Sequence, residues 1–212
     1  MIDYINNNII HILYVIAIIA EAMTAALAAG RRQMDWIGVF ILGCITALGG
    51  GSVRDVLLNH HPITWVANPV YLMITGCAAL LTIPIARCMR HLRKLFLFLD
   101  AIGLVVFTVI GCKIAITMGL PTIIVIVAGV ITGCVGGVLR DILCNDIPLL
   151  MRSELYATVS VVTGSLYLLA THLNISVEIA AIFAMLVGLT LRLLAIKFKL
   201  GMPKFVYNED YH

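Results

Sequence analysis

The sequence predicts an all-α polytopic membrane protein, and three observations carry that prediction. Of 212 residues, 62% are hydrophobic and only 12% charged, with a mean hydropathy of +1.08, far outside the range of water-soluble domains. The apolar residues fall in runs long enough to cross a ~30 Å hydrocarbon core at ~1.5 Å per helical residue. One stretch, ITALGGGSVRDVLLNHHP at 45–62, returns as ITGCVGGVLRDILCNDIP at 131–148. So little chain lies outside the apolar runs that residues 1–212 are read as a single transmembrane domain.

Seven spans are placed, at 9–29, 36–58, 65–86, 95–113, 121–144, 153–171 and 177–196. The first follows MIDYINNN, which has no basic leader, and lacks a small-residue cleavage site; it is read as an uncleaved span. The second and fifth end in the repeated motif. In a seven-span layout Arg31, Arg32, Arg87, Arg90, Arg93, Lys94, Arg152, Lys197, Lys199 and Lys204 share one side, and only Lys113 falls on the other. This bias puts the N-terminus outside and the C-terminus in the cytoplasm. The net charge of +3 then reflects topology, and no nucleic-acid partner is expected.

An offset of 86 residues aligns the two copies without a gap. Ile45, Thr46, Gly50, Gly51, Arg54, Asp55, Leu57, Asn59 and Pro62 all meet identical partners. Three crossings separate the copies, an odd number, so the second is inverted in the bilayer. The layout is therefore an inverted repeat of three plus three: repeat one at about 9–86, repeat two at about 95–171, and an added seventh helix at about 177–196.

The glycines admit two readings. Gly43, Ala47 and Gly51, like Gly129, Gly133 and Gly137, recur every fourth residue, the spacing that lets membrane helices pack closely. That stripe leaves out Gly50 and Gly136, and it does not explain why Arg54-Asp55 and Arg140-Asp141 follow, since a lipid-facing charge costs a few kcal/mol. The sharper reading is that helices 2 and 5 kink or unwind at Gly50-Gly51 and Gly136-Gly137, freeing carbonyls beside a polar cavity. Fifteen residues from Asp35 to Gly50, and from Pro121 to Gly136, place each break ~7 Å past the midplane. Two symmetric constrictions on one path make a pore-like layout. Asp55 and Asp141 attract cations there, Arg54 and Arg140 hold the carboxylates or plug the path, and Thr46 and Thr132 bond the freed carbonyls.

Glu21 either lines the path or pairs with a motif arginine. Asp100 is read as a helix-end partner of Arg93 and Lys94, while Lys113 and Arg192 are read as snorkelling. His60 and His61 are read as ordinary interfacial residues. Cys44, Cys77, Cys88, Cys112, Cys134 and Cys144 show no metal-ligand spacing and are read as small buried hydrophobes. No dinucleotide, phosphate-loop, HExxH or GxSxG motif occurs, so no enzyme and no cofactor are expected.

With seven spans and GGxxRD at both Gly50–Asp55 and Gly136–Asp141, the chain resembles the prokaryotic trimeric intracellular cation (TRIC) channels over nearly its whole length. The resemblance implies a homotrimer in a prokaryotic plasma (inner) membrane, with a pore in each subunit lined by helices 2 and 5 and permeant to K⁺ and Na⁺. The same bacterial family has also been labelled a glycine transporter. A secondary transporter of a small amino acid is thus the alternative.

Overall fold

The computed structural model describes the backbone of residues 2–87, 92–152 and 155–201, and the side chains of 10–86, 92–151 and 155–201. Cys88, Arg90 and Lys204, the side chains of Arg87 and Arg152, and the start of the expected sixth span at 153–154 lie outside the described residues.

Seven long helices are present among the described residues: α1 (Ile2–Arg31), α2 (Trp36–Leu57), α4 (Val70–Arg87), α5 (Leu92–Thr117), α6 (Thr122–Leu143), α8 (Tyr156–His172) and α9 (Val177–Phe198). Two four-residue helices, α3 (Thr64–Ala67) and α7 (Leu149–Arg152), follow α2 and α6. By length and composition five helices are able to cross a membrane, beginning at Ile10, Trp36, Leu92, Thr122 and Val177; Val70–Ala86 is apolar but shorter. The third span begins at 70 rather than 65, because Asn68 precedes Pro69 and a residue before proline is pushed out of helical geometry.

Two helix starts have a local cause. Asp35 caps α2, its side chain accepting a hydrogen bond from Gly38 N at 2.7 Å. Pro121 stands immediately before α6, where a missing N–H costs nothing. α1 packs against α2, α4 and α5 through a buried alanine-rich face that includes Ala17, Ala22, Ala25 and Ala29. Small side chains there allow three neighbours to approach closely.

The helix contacts repeat. α1 packs on α2 and α4, α2 on α4; α5 packs on α6 and α8, α6 on α8; α1 meets α5 and α2 meets α6 across the middle, while α9 joins α8 and α5.

The expected break in the motif helices is not found. α2 runs uninterrupted from Trp36 to Leu57 and α6 from Thr122 to Leu143. Close packing explains the glycines instead, and it includes the two that the stripe left out. A Cβ on Gly50 would run into the Thr132 carbonyl, and one on Gly136 into the Thr46 carbonyl. Each glycine is thus the notch into which the opposite backbone fits. The reciprocity of the two contacts is the mark of a two-fold relation between the helices.

Candidate functional site: two buried arginine–aspartate pairs

All eleven site residues read from the sequence lie on α1, α2 or α6, and the two motif copies build two charged centres. Arg54 and Asp55 are buried at the end of α2. Arg54 Nη2 and Nε stand 2.6 and 3.0 Å from Asp55 Oδ1. The second carboxylate oxygen accepts from the backbone N of Thr64 at 2.9 Å and from its hydroxyl at 2.8 Å. His60 Nδ1 adds a contact at 3.1 Å to Oδ1, so His60 is more than an interfacial residue. Asp55 therefore anchors its neighbouring guanidinium and the first amide of α3 together.

The second copy repeats this arrangement and adds acids. Arg140 Nε is 2.9 Å from Asp141 Oδ1, and Asp141 Oδ2 accepts from Leu149 N, the first amide of α7, at 2.8 Å. Arg140 Nη1 reaches Asp100 Oδ1 at 2.9 Å, the Thr24 hydroxyl at 3.0 Å and Glu21 Oε2 at 3.7 Å. Phe96 lies under the guanidinium at 4.6 Å, a cation–π contact. Thr24 also donates to Glu21. Of the two readings for Glu21, the structure takes pairing. Asp100 pairs with Arg140, not with the exposed Arg93 and Lys94, because α5 packs on α6 and carries it inward.

The threonines do not bond carbonyls at the glycine pairs. Thr132 Oγ1 donates to the Ala128 carbonyl at 2.6 Å and stands 3.5 Å from Arg54 Nη1. Thr46 Oγ1 is buried with no hydrogen bond among the described residues, as are Asp100 Oδ2, Arg140 Nη2 and Tyr156 Oη. Two of these atoms, Tyr156 Oη and Arg140 Nη2, neighbour Gly137, whose Cβ would come within ordinary contact of both. Gly51 likewise faces Arg54 Nη2 with space to spare. In each Gly-Gly pair one glycine seats a helix and the other leaves room for an arginine.

Arg192 does not snorkel: it is fully buried, with its guanidinium over the Tyr156 ring at 4.7 Å. Cys112, Cys134 and Cys144 are buried as expected, whereas Cys44 is half-buried and Cys77 exposed. Among the described residues no group of three His, Cys, Asp or Glu is placed to hold a metal. Thr24, Thr64, Phe96 and Tyr156 were not singled out in the sequence. Only Thr64 had a local signal, standing two residues after the repeated Pro62.

A cavity of about 330 Å³ opens on Arg54, Gly51, Ala47 and Thr132 between α1, α2, α4, α5 and α6; its wall also includes Tyr14, Tyr71, Phe107 and Lys113. Lys113 lines this space instead of snorkelling. At the other centre Arg140 is 0% exposed.

A family model described as a glycine transporter matches residues 11–87 and again 97–172. The inner membrane protein YadS of Escherichia coli K12 is 39% identical over 191 residues, covering 89% of this chain and 92% of that protein. Among solved structures, the TRIC orthologue of Rhodobacter sphaeroides superposes with a TM-score of 0.87 at 30% identity, over 91% of this chain and 99% of its own. A TRIC cation channel solved to explain conductance gives 0.85 at 36% identity, over 93% and 98%.

Proposed function

Because the chain belongs to the family that contains the prokaryotic TRIC cation channels, a multi-pass bacterial membrane protein family, we propose that it conducts K⁺ and Na⁺ through a path within each subunit of a homotrimer. In this reading α1, α2, α4, α5, α6, α8 and α9 are seven crossings. The 18 residues of α4 and 17 of α8 extend ~27 and ~25 Å, short but tolerable against a ~30 Å core, since modest mismatch is accommodated locally. The basic residues put the N-terminus outside, and the Arg54 cavity then opens outward.

One observation carries the proposal. Two buried Arg–Asp centres flank the crossing of α2 and α6, and the cavity leads to the first of them. Ionisable groups this deep in a membrane protein mark ion paths by default. Arg54 and Arg140 act as gates held by their carboxylates, and Glu21 and Asp100 supply the cation-attracting field at the inner centre. Without a helix break, the path runs past side chains rather than past bare carbonyls.

The reading is tested by K⁺ efflux from proteoliposomes. The parent protein is expected to release K⁺ when a counter-ion path is provided, and Asp55→Asn and Asp141→Asn are each expected to slow release several-fold with assembly intact. Efflux equal to that of empty vesicles would contradict it. The one-sided cavity also favours a second reading, a transporter of a small amino acid such as glycine, whose site opens to one side at a time. Saturable glycine uptake by the same vesicles distinguishes the two.

A further inference from the structure

The two centres occupy equivalent positions in the repeats but differ in charge. Arg140 is surrounded by Phe96, Asp100, Glu21 and Thr24. Moving each by the 86-residue offset, back or forward, gives Ile10, Tyr14, Phe107 and Ile110. All four line the cavity beside Arg54. The symmetry is kept in space, but an aspartate has become a tyrosine, a glutamate a phenylalanine and a threonine an isoleucine.

The same wall contributes Lys113, whose repeat position in α1 is Leu27. Lys113 is half-buried and makes no hydrogen bond or ion pair among the described residues. Glu178 at the start of α9 acts on it electrostatically without lining the cavity. Asp55 is committed to Arg54, Thr64 and His60, and no described carboxylate lines the space. Donors do: the Arg54 guanidinium, the Lys113 ammonium and the Tyr14 hydroxyl, while the Thr64 and Thr132 hydroxyls are already donated to Asp55 and Ala128. A partly desolvated cation pair facing one cavity is stabilised by an anion between them. The volume of about 330 Å³ exceeds the ~30 Å³ share of one liquid water roughly tenfold, so a hydrated ionic group fits.

We propose that the Arg54 cavity binds a compact oxyanion, a carboxylate or phosphate group, between Lys113 and Arg54. With Asp55 already balancing Arg54, a carboxylate cancels the remaining positive charge at this mouth and a dianionic phosphate reverses it, making the mouth less repelling to cations. That consequence for flux rests on the channel reading; the binding does not.

The test reads binding directly. Trp65 donates to Ser52 Oγ at 3.0 Å next to cavity-lining Thr64, and the only other tryptophan is the exposed Trp36. In Trp36→Phe protein held in neutral-lipid nanodiscs, Trp65 fluorescence is titrated with sodium acetate and sodium phosphate against sodium chloride at fixed ionic strength. The expected result is a saturable change with acetate or phosphate and none with chloride. Lys113→Gln is expected to weaken it at least tenfold, Lys113→Arg to keep it, and Lys94→Gln to leave it unchanged. A response lost in nanodiscs containing phosphatidylglycerol identifies a lipid headgroup as the occupant; a response kept there identifies a free anion. No saturable change, an equal change with chloride, or an unchanged response in both Lys113 variants would overturn the site. K⁺ efflux measured separately on Trp36→Phe protein distinguishes failure of the channel reading from failure of this one.

Discussion

Arg54 and Arg140 stand in the same GGxxRD frame, yet removing their charges should have unequal effects. Arg54→Met leaves one buried carboxylate, Asp55, which still has Thr64 and His60. Arg140→Met strands Glu21, Asp100 and Asp141 together. Uncompensated buried charge costs about 3–5 kcal/mol when one partner of a pair is removed. The melting temperature in detergent is therefore expected to fall more for Arg140→Met than for Arg54→Met. The carboxylates should behave in the reverse order: Asp55→Asn removes the one acid on Arg54, whereas Asp141→Asn leaves Arg140 with two. Equal losses across the four variants would mean that the surrounding acids do not matter. The Arg-Asp pairs were legible because each is contiguous in sequence and repeated. The gathering of further acids around Arg140 was less so: Glu21 could be read only as one of two alternatives and Asp100 was assigned to other partners, because they arrive from α1 and α5 and only packing joins them.

At the level of the helix, the glycine pairs sort into two kinds. Alanine at Gly50 or Gly136 puts a methyl onto the backbone carbonyl of Thr132 or Thr46, and a backbone cannot swing aside as a side chain does. Overpacking of this sort costs about 1–3 kcal/mol. Alanine at Gly51 or Gly137 meets only side-chain atoms at ordinary contact distance and gains up to ~1 kcal/mol in helix propensity. Gly50→Ala and Gly136→Ala are thus expected to lower the melting temperature, while Gly51→Ala and Gly137→Ala leave it level or raise it. A uniform response would remove the assigned division. The four-residue spacing could be read in the sequence; which face of α2 meets α6 could not, since a helix can cross another on any side and only the tertiary fold decides. The short helices α3 and α7 were equally invisible. Their first amides are bonded by Asp55 and Asp141, residues eight or nine positions upstream that no local capping pattern connects to them.

For the whole molecule, the apolar runs and the doubled motif together carried most of the architecture: among the described residues, seven long helices, two equivalent halves and an added α9. The expected unwinding at the glycines is not found, because a glycine pair in a membrane helix serves close approach as readily as unwinding, and spacing alone does not separate the two. The central claim is that ions cross each subunit past the Arg54 and Arg140 centres. Single-channel recording of purified protein in a planar bilayer under a KCl gradient tests it most directly. Unitary current steps that reverse toward the K⁺ equilibrium potential, and that shrink or lose K⁺-over-Cl⁻ preference in Asp55→Asn and Asp141→Asn, are the predicted result. A silent bilayer from protein that still takes up glycine saturably, or steps unchanged in both variants, would contradict it.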